Sequence, residues 1–193
     1  MEIKIIFEPN LYSIAYDKNE TYASIEDLSE YIEEEEFLDE LTKALELWTN
    51  PEYLEQFFHK NQKHLQSEYW GAISIEEAIS KTIELAHALE EFLVETKADN
   101  IEYYFNPLDN LTTRLRPLGK SKFKDNWLRL YAIKIDDNRF LITGGAIKLT
   151  RTMQENEYTN NELYKLSKVC NFLKQEGVFD SDSFDELLFE VTL

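Results

Sequence analysis

Hydrophobic positions along this chain follow two periods. Near the start they alternate: Ile3, Ile5 and Phe7 against Lys4 and Ile6, then Leu11–Tyr16 after Glu8-Pro9-Asn10, which predicts two short strands joined by a turn. From Ser24 the period lengthens. Ser24 and Asp27 have capping-box spacing, and Phe37, Leu38, Leu41, Ala44, Leu45 and Trp48 form a helical stripe. Asn50-Pro51 offers an N-cap followed by proline at the first helical position, so a helix restarts there and runs to Leu65. Ser74 and Glu77 make a further capping box. It opens a long helix, Ile75–Thr96, with Ala78, Ile79, Thr82, Ala86, Leu89 and Leu93 facing inward.

Alternation returns at Ile101–Phe105, a predicted short strand, and dominates Trp127–Thr150. Three runs, Trp127–Ile135, Arg139–Thr143 and Ala146–Thr150, are separated by Asp136-Asp137-Asn138 and by Gly144-Gly145. Both breaks contain residues that tolerate positive φ, so the expectation is a three-stranded antiparallel meander with a hairpin turn at the glycine pair. In the first run Leu128, Leu130, Ala132 and Lys134 share one face, and Trp127, Arg129, Tyr131, Ile133 and Ile135 share the other. Thr159 and Glu162 predict the capped start of a helix over Asn160–Glu176. It would bury Leu163, Leu166, Cys170 and Leu173 and stop at Gly177. A short acidic helix is expected in the last fourteen residues.

The fold class that follows is α+β. An acidic hairpin-plus-helical region, residues 1–105, packs with a C-terminal sheet and flanking helix, residues 106–193, in a shared core. The apolar fraction of 43% suffices for a real core. No apolar run approaches the ~18 residues that span a bilayer, and acidic residues interrupt the apolar N-terminus, so a cytoplasmic protein without membrane partners is expected. A lone cysteine, Cys170, rules out an intramolecular disulfide and a cysteine-based zinc cluster. His59 and His64 lack the spacing of a metal pair, so neither metal nor cofactor is expected.

The net charge of −18 conceals an asymmetry. Residues 1–110 hold 26 acidic residues against seven lysines, whereas residues 111–179 hold 13 basic against seven acidic residues and include every arginine. Within that segment Arg114, Arg116, Lys120, Lys122, Lys124, Arg129, Lys134, Arg139, Lys148 and Arg151 are interleaved with Phe123, Trp127, Tyr131 and Phe140. Phosphate attraction combined with aromatic stacking is how single-stranded nucleic acid is held. The alternative is that these cations pair with the acidic half of the same molecule.

The order P-L-G-K (117–120), W-L-R-L-Y (127–131), a hairpin, G-G-A-I-K-L-T (144–150) and a closing helix resembles the RelE/HigB/ParE toxin superfamily over residues 106–179. The resemblance implies a toxin of a toxin–antitoxin system that binds or cleaves RNA, a metal-independent endoribonuclease or mRNA interferase. Its partners would be RNA or the ribosome and a cognate antitoxin. Arg129, Tyr131 and Lys148 then take the catalytic positions, and Arg114, Arg116, Lys120, Lys122, Lys124, Lys134 and Arg151 bind RNA. Two departures bear on chemistry: no aromatic precedes Lys148 within G-G-A-I-K, and the segment has no histidine to serve as base. The competing expectation is a non-enzymatic interaction protein, with a toxin-like scaffold and an acidic partner-binding surface.

Overall fold

The computed structural model describes residues 1–17, 20, 31–32, 38–96, 101, 105, 116–119, 126–136, 138–150 and 156–191, with backbone alone at 96, 116–119 and 190–191. Its centre is a five-stranded mixed sheet, in the order β1 (Glu2–Phe7), β2 (Leu11–Ala15), β5 (Arg139–Ile147), β4 (Leu128–Asp136), β3 (Arg116–Gly119). Neighbours are antiparallel except β2 and β5, which run parallel with Leu11 beside Phe140 and Ser13 beside Ile142. The chain leaves β2 at residue 15 and returns in β5 only at residue 139, so one sheet is built from both ends of the sequence.

Both faces are covered, which is why β4 and β5 read as nearly continuous apolar runs. On one face α1 (Glu40–Thr49), α2 (Pro51–Lys60), α3 (Gln62–Leu65) and α4 (Ile75–Thr96) meet Leu128, Leu130, Ala132, Phe140, Ile142 and Ile147. On the other, α5 (Glu157–Gln175) and α6 (Ser181–Val191) meet Tyr12, Ile14, Tyr131, Ile133, Ile135 and Leu141. The face assignment within β4 therefore follows the alternation, apart from Trp127. That residue lies just before the strand and packs with the helical face.

Several helix starts are fixed by the caps the sequence displays. Asn50 accepts from the N–H groups of Glu52 and Tyr53 at 3.0 and 3.1 Å. Ser74 and Glu77 cap each other reciprocally, at 3.1 and 3.2 Å. Other expectations need correction. The first long stripe becomes helical at Glu40, where Asp39, itself extended, accepts from the N–H groups of Leu41 and Thr42 and caps the helix. The helix from Pro51 ends at Lys60, where the Asn61 side chain bonds to the Phe57 carbonyl, and a separate turn, α3, follows. Ile101 lies in a 3₁₀ turn rather than a strand. Helix α5 begins at Glu157, capped by Asn156, so Thr159 and Glu162 are interior residues and not a capping box. The Ser24–Asp27 box lies outside the described residues.

The glycine pair makes no turn. β5 passes straight through Gly144-Gly145, with Gly144 opposite Tyr131 and Gly145 opposite Leu130. Two residues, Thr143 and Gly144, lie opposite Tyr131 alone, a β-bulge. Glycine is required here for close approach rather than for bending. A Cβ on Gly144 would overlap the Glu162 carboxylate, and one on Gly145 would lie 2.8 Å from the Ala44 Cβ and 3.0 Å from the Trp48 ring.

Candidate functional site

Arg129 and Tyr131 do share one face of β4, as the alternation predicts, but that face is not open. The Tyr131 ring lies under α5 with 1% of its surface exposed. Burial, with Glu162 nearby, pushes its hydroxyl well above the ordinary phenol range. The Arg129 guanidinium donates from Nη1 to two backbone carbonyls, those of Asn126 and Leu128, at 2.7 Å each. Burial lowers its pKa from the usual arginine value, with Tyr131 and Tyr69 acting the other way. A tyrosine shifted in this direction is a poorer proton acceptor at neutral pH, and the guanidinium commits its Nη1 hydrogens to the two carbonyls.

Lys148 lies half-buried just past the end of β5, its backbone N–H donating to the Trp127 carbonyl at 2.8 Å. Lys134 is half-buried on the opposite face of β4 from Tyr131, with Arg116 its register partner on β3. Of the seven residues assigned to RNA, Lys134 is the one whose side chain is described. Arg114, Lys120, Lys122, Lys124 and Arg151 lie outside the described residues, as does the side chain of Arg116. Among the described residues no cluster of histidine, cysteine and carboxylate side chains could hold a metal ion.

The most concentrated chemistry is elsewhere, at a seam where two strands part. Pairing of β2 with β5 ends at Ser13 and Ile142, although both strands continue. Beyond that point the Tyr16 hydroxyl donates to the Thr143 carbonyl at 3.0 Å. The start of α1 is tied to β2 by the Leu41 N–H donating to the Ser13 hydroxyl at 3.0 Å. Glu40 of α1 and Lys165 of α5 meet here from opposite faces of the sheet. Lys165 Nζ donates to Glu40 Oε2 at 2.6 Å and is paired with Glu162 Oε1 at 2.9 Å. All three side chains are 5% exposed. The ammonium also lies 5.6 Å from the centre of the Tyr16 ring, and the buried Lys43 faces Glu162 from α1.

Two atoms of this seam lack a partner: Glu162 Oε2 and the Tyr131 hydroxyl. Burial, reinforced by Glu40, raises the Glu162 carboxyl to about 7, while Lys165 opposes the rise. The two carboxylates raise Lys165 against the desolvation that would lower it. Sequence reasoning missed the cluster because Glu162 and Lys165, three apart, look like an ordinary solvated helix pair. The one available signal was the glycine pair, which marks a close approach when it sits inside a strand rather than between strands.

In comparison with known proteins, no family model, curated protein or solved structure matches the chain. The site is therefore read from its own geometry. No helix among the described residues is long and apolar enough to cross a membrane.

Proposed function

We propose that this protein is a non-enzymatic interaction protein, a toxin-like sheet serving as scaffold for an acidic surface that binds a basic partner. The observation that carries this reading is the placement of Arg129 and Tyr131. Arg129 is part-buried with its Nη1 tied to two backbone carbonyls, and Tyr131 is sealed beneath α5 and does not present its hydroxyl to a substrate. The partner surface is the outward face of α4. Glu76, Glu77, Glu84, Glu90, Glu91 and Glu95 are exposed there, and the helix's single lysine, Lys81, is turned inward to lie 4.9 Å from the Trp127 ring. Glu84, Glu91 and Glu95 fall on one stripe of the helix, at the spacing that meets an extended or helical basic segment. Exposed ion pairs contribute only ~0–1 kcal/mol each, so recognition needs several glutamates acting together and is sensitive to salt.

The test is binding of a Lys/Arg-rich peptide and of a single-stranded RNA oligonucleotide to the full chain. The interaction reading expects peptide binding that weakens with salt and is lost in a Glu84→Lys/Glu91→Lys/Glu95→Lys variant that still folds, with the RNA left intact. The RNA-directed toxin reading rests on the resemblance over 106–179 and on the basic run of the sequence. It expects RNA cleavage, or binding with a log–log salt slope near −0.7 per neutralised phosphate, that is lost in Arg129→Ala and Lys148→Ala. That second outcome would overturn the proposal.

A further inference from the structure

We propose that Glu162 is a proton-operated latch: carrying a proton it fixes α5 against the sheet, and ionised it loosens that helix from the seam and from Tyr131. The inference is independent of which partner the acidic face takes. It begins with an imbalance of hydrogen bonding. Lys165 satisfies one oxygen of Glu162 and one of Glu40, leaving Glu162 Oε2 sealed from water with nothing donating to it. An ionised carboxylate oxygen in that position has lost its hydration without replacement, which is the costly form of burial. A proton on Oε2 changes the oxygen from an acceptor lacking a donor into a donor. The Tyr131 hydroxyl, also without a partner, is near enough for an ionised Glu162 to act on it, yet it does not bond to Oε2; the protonated carboxyl is favoured because it has no charge to desolvate.

The groups that face Glu162 come from each element packed around it. They are Glu40 and Lys43 from α1, Lys165 from its own helix, Tyr131 from β4 with Arg129 beyond it, and Tyr16 after β2. β5 contributes no titratable side chain at this point, only Thr143 and the glycine against which the carboxylate is pressed. That contact removes the freedom of the carboxylate to swing away along the strand. The remaining relief for an ionised Glu162 is movement of α5 itself.

The direction with pH follows from burial. Glu162 holds its proton up to about 7 when α5 is docked, and at the ordinary carboxylate value when the helix is open to water. A group whose docked value is raised stabilises docking fully below its ordinary value, and the contribution is lost as pH rises through the docked value. Docking therefore weakens between about pH 5 and pH 7. Lys165 is raised as well, but its contribution is lost only in the strongly alkaline range, so it does not mask the change.

The experiment is hydrogen exchange of the full chain followed by mass spectrometry, corrected for the intrinsic pH dependence of exchange. In the wild type the opening constant of α5 should rise on the order of 10–100-fold from about pH 5 to pH 8, while α4 serves as a reference helix with no such rise. Glu162→Gln keeps the shape and cannot ionise, so its α5 protection should be flat over the same range. A flat wild-type profile, or the same rise in Glu162→Gln, would overturn the latch. Carbon-detected titration of glutamate side-chain carboxyls in the wild type needs no variant to fold. One carboxyl should titrate in the neutral range in step with α5 protection, and the absence of any such carboxyl would also overturn it.

Discussion

At the scale of single residues, the interior of this protein is governed by what stands against β5. Gly144 is held to hydrogen as a side chain by the Glu162 carboxylate, which cannot retreat without leaving Lys165. Gly144→Ala should therefore destabilise the fold by about 1–3 kcal/mol, as overpacking does elsewhere, measured as a shift of the urea midpoint at constant slope. Gly177→Ala is the informative comparison. Its Cβ would meet nothing within 4 Å, so only the φ of +76° is costly, by roughly 1–2 kcal/mol. Lys165→Met should be worse than either. It leaves two buried carboxylates with their shared cation removed, a change that costs on the order of 3–5 kcal/mol when a buried pair is broken on one side. That loss should shrink as pH falls toward 5, where Glu162 carries its own proton and needs the lysine less.

At the scale of elements, caps decide where helices begin, and the strongest test is the cap that does two jobs. Asn156 accepts from Tyr158 N–H at the start of α5, and its amide donates to Asn61 Oδ1 at 3.3 Å, where α2 gives way to α3. Asn156→Ala should cost about 1–2 kcal/mol, at the upper end for an N-cap, because the Asn61 carbonyl also loses a donor. Thermal melts of Asn156→Ala and Asn156→Asp separate the two roles, since aspartate keeps the cap and loses the donor. The legibility of the sequence follows the same lines. The α4 start was readable from Ser74 and Glu77 and the α2 start from Asn50-Pro51, since those caps are local. The β4 face pattern was readable because a strand alternates whatever covers it. The α5 start was not, for Thr159 and Glu162 have the spacing of a capping box while tertiary burial uses both as interior residues. The glycine pair was misread for a related reason: a turn and a close approach both select glycine, and only the third dimension tells them apart. Of the three residues given catalytic positions, Tyr131 is the one the fold buries. Periodicity places Arg129 and Tyr131 side by side but says nothing of the helix that arrives later to cover Tyr131.

At the scale of the whole molecule, two apolar layers on one sheet join chain segments that differ in charge. Strand β2 lies beside β5, and Glu40 of the acidic half is bonded to Lys165 of the basic half. Expressed alone, residues 106–193 would leave the β2 edge of β5 unpaired, Lys165 without Glu40, and Phe140, Ile142 and Ile147 uncovered. The fragment should aggregate or lack a cooperative unfolding transition by calorimetry, and adding residues 1–105 in trans should restore one. The aromatic residues offer a readout for such experiments. Trp127 is fully buried, 5.3 Å from the Trp70 ring and 5.8 Å from Phe58, so native emission should be blue-shifted and should move to the red when the two halves separate.

The parallel pairing of β2 with β5 also sets an order of events during synthesis. The hairpin of β1 and β2 leaves the ribosome early, yet the backbone groups of Leu11–Ser13 find their partners only when Phe140–Ile142 emerge. At about 5–20 residues per second the inner edge of that hairpin waits roughly 6–26 s for its neighbour. During that interval the nascent chain carries an exposed, strand-ready edge, the kind of surface on which a chaperone acts or a second nascent chain adds. Slowing translation between residues 15 and 139 should therefore lengthen the exposure of this edge and raise the yield of aggregate, read as the soluble fraction of the chain.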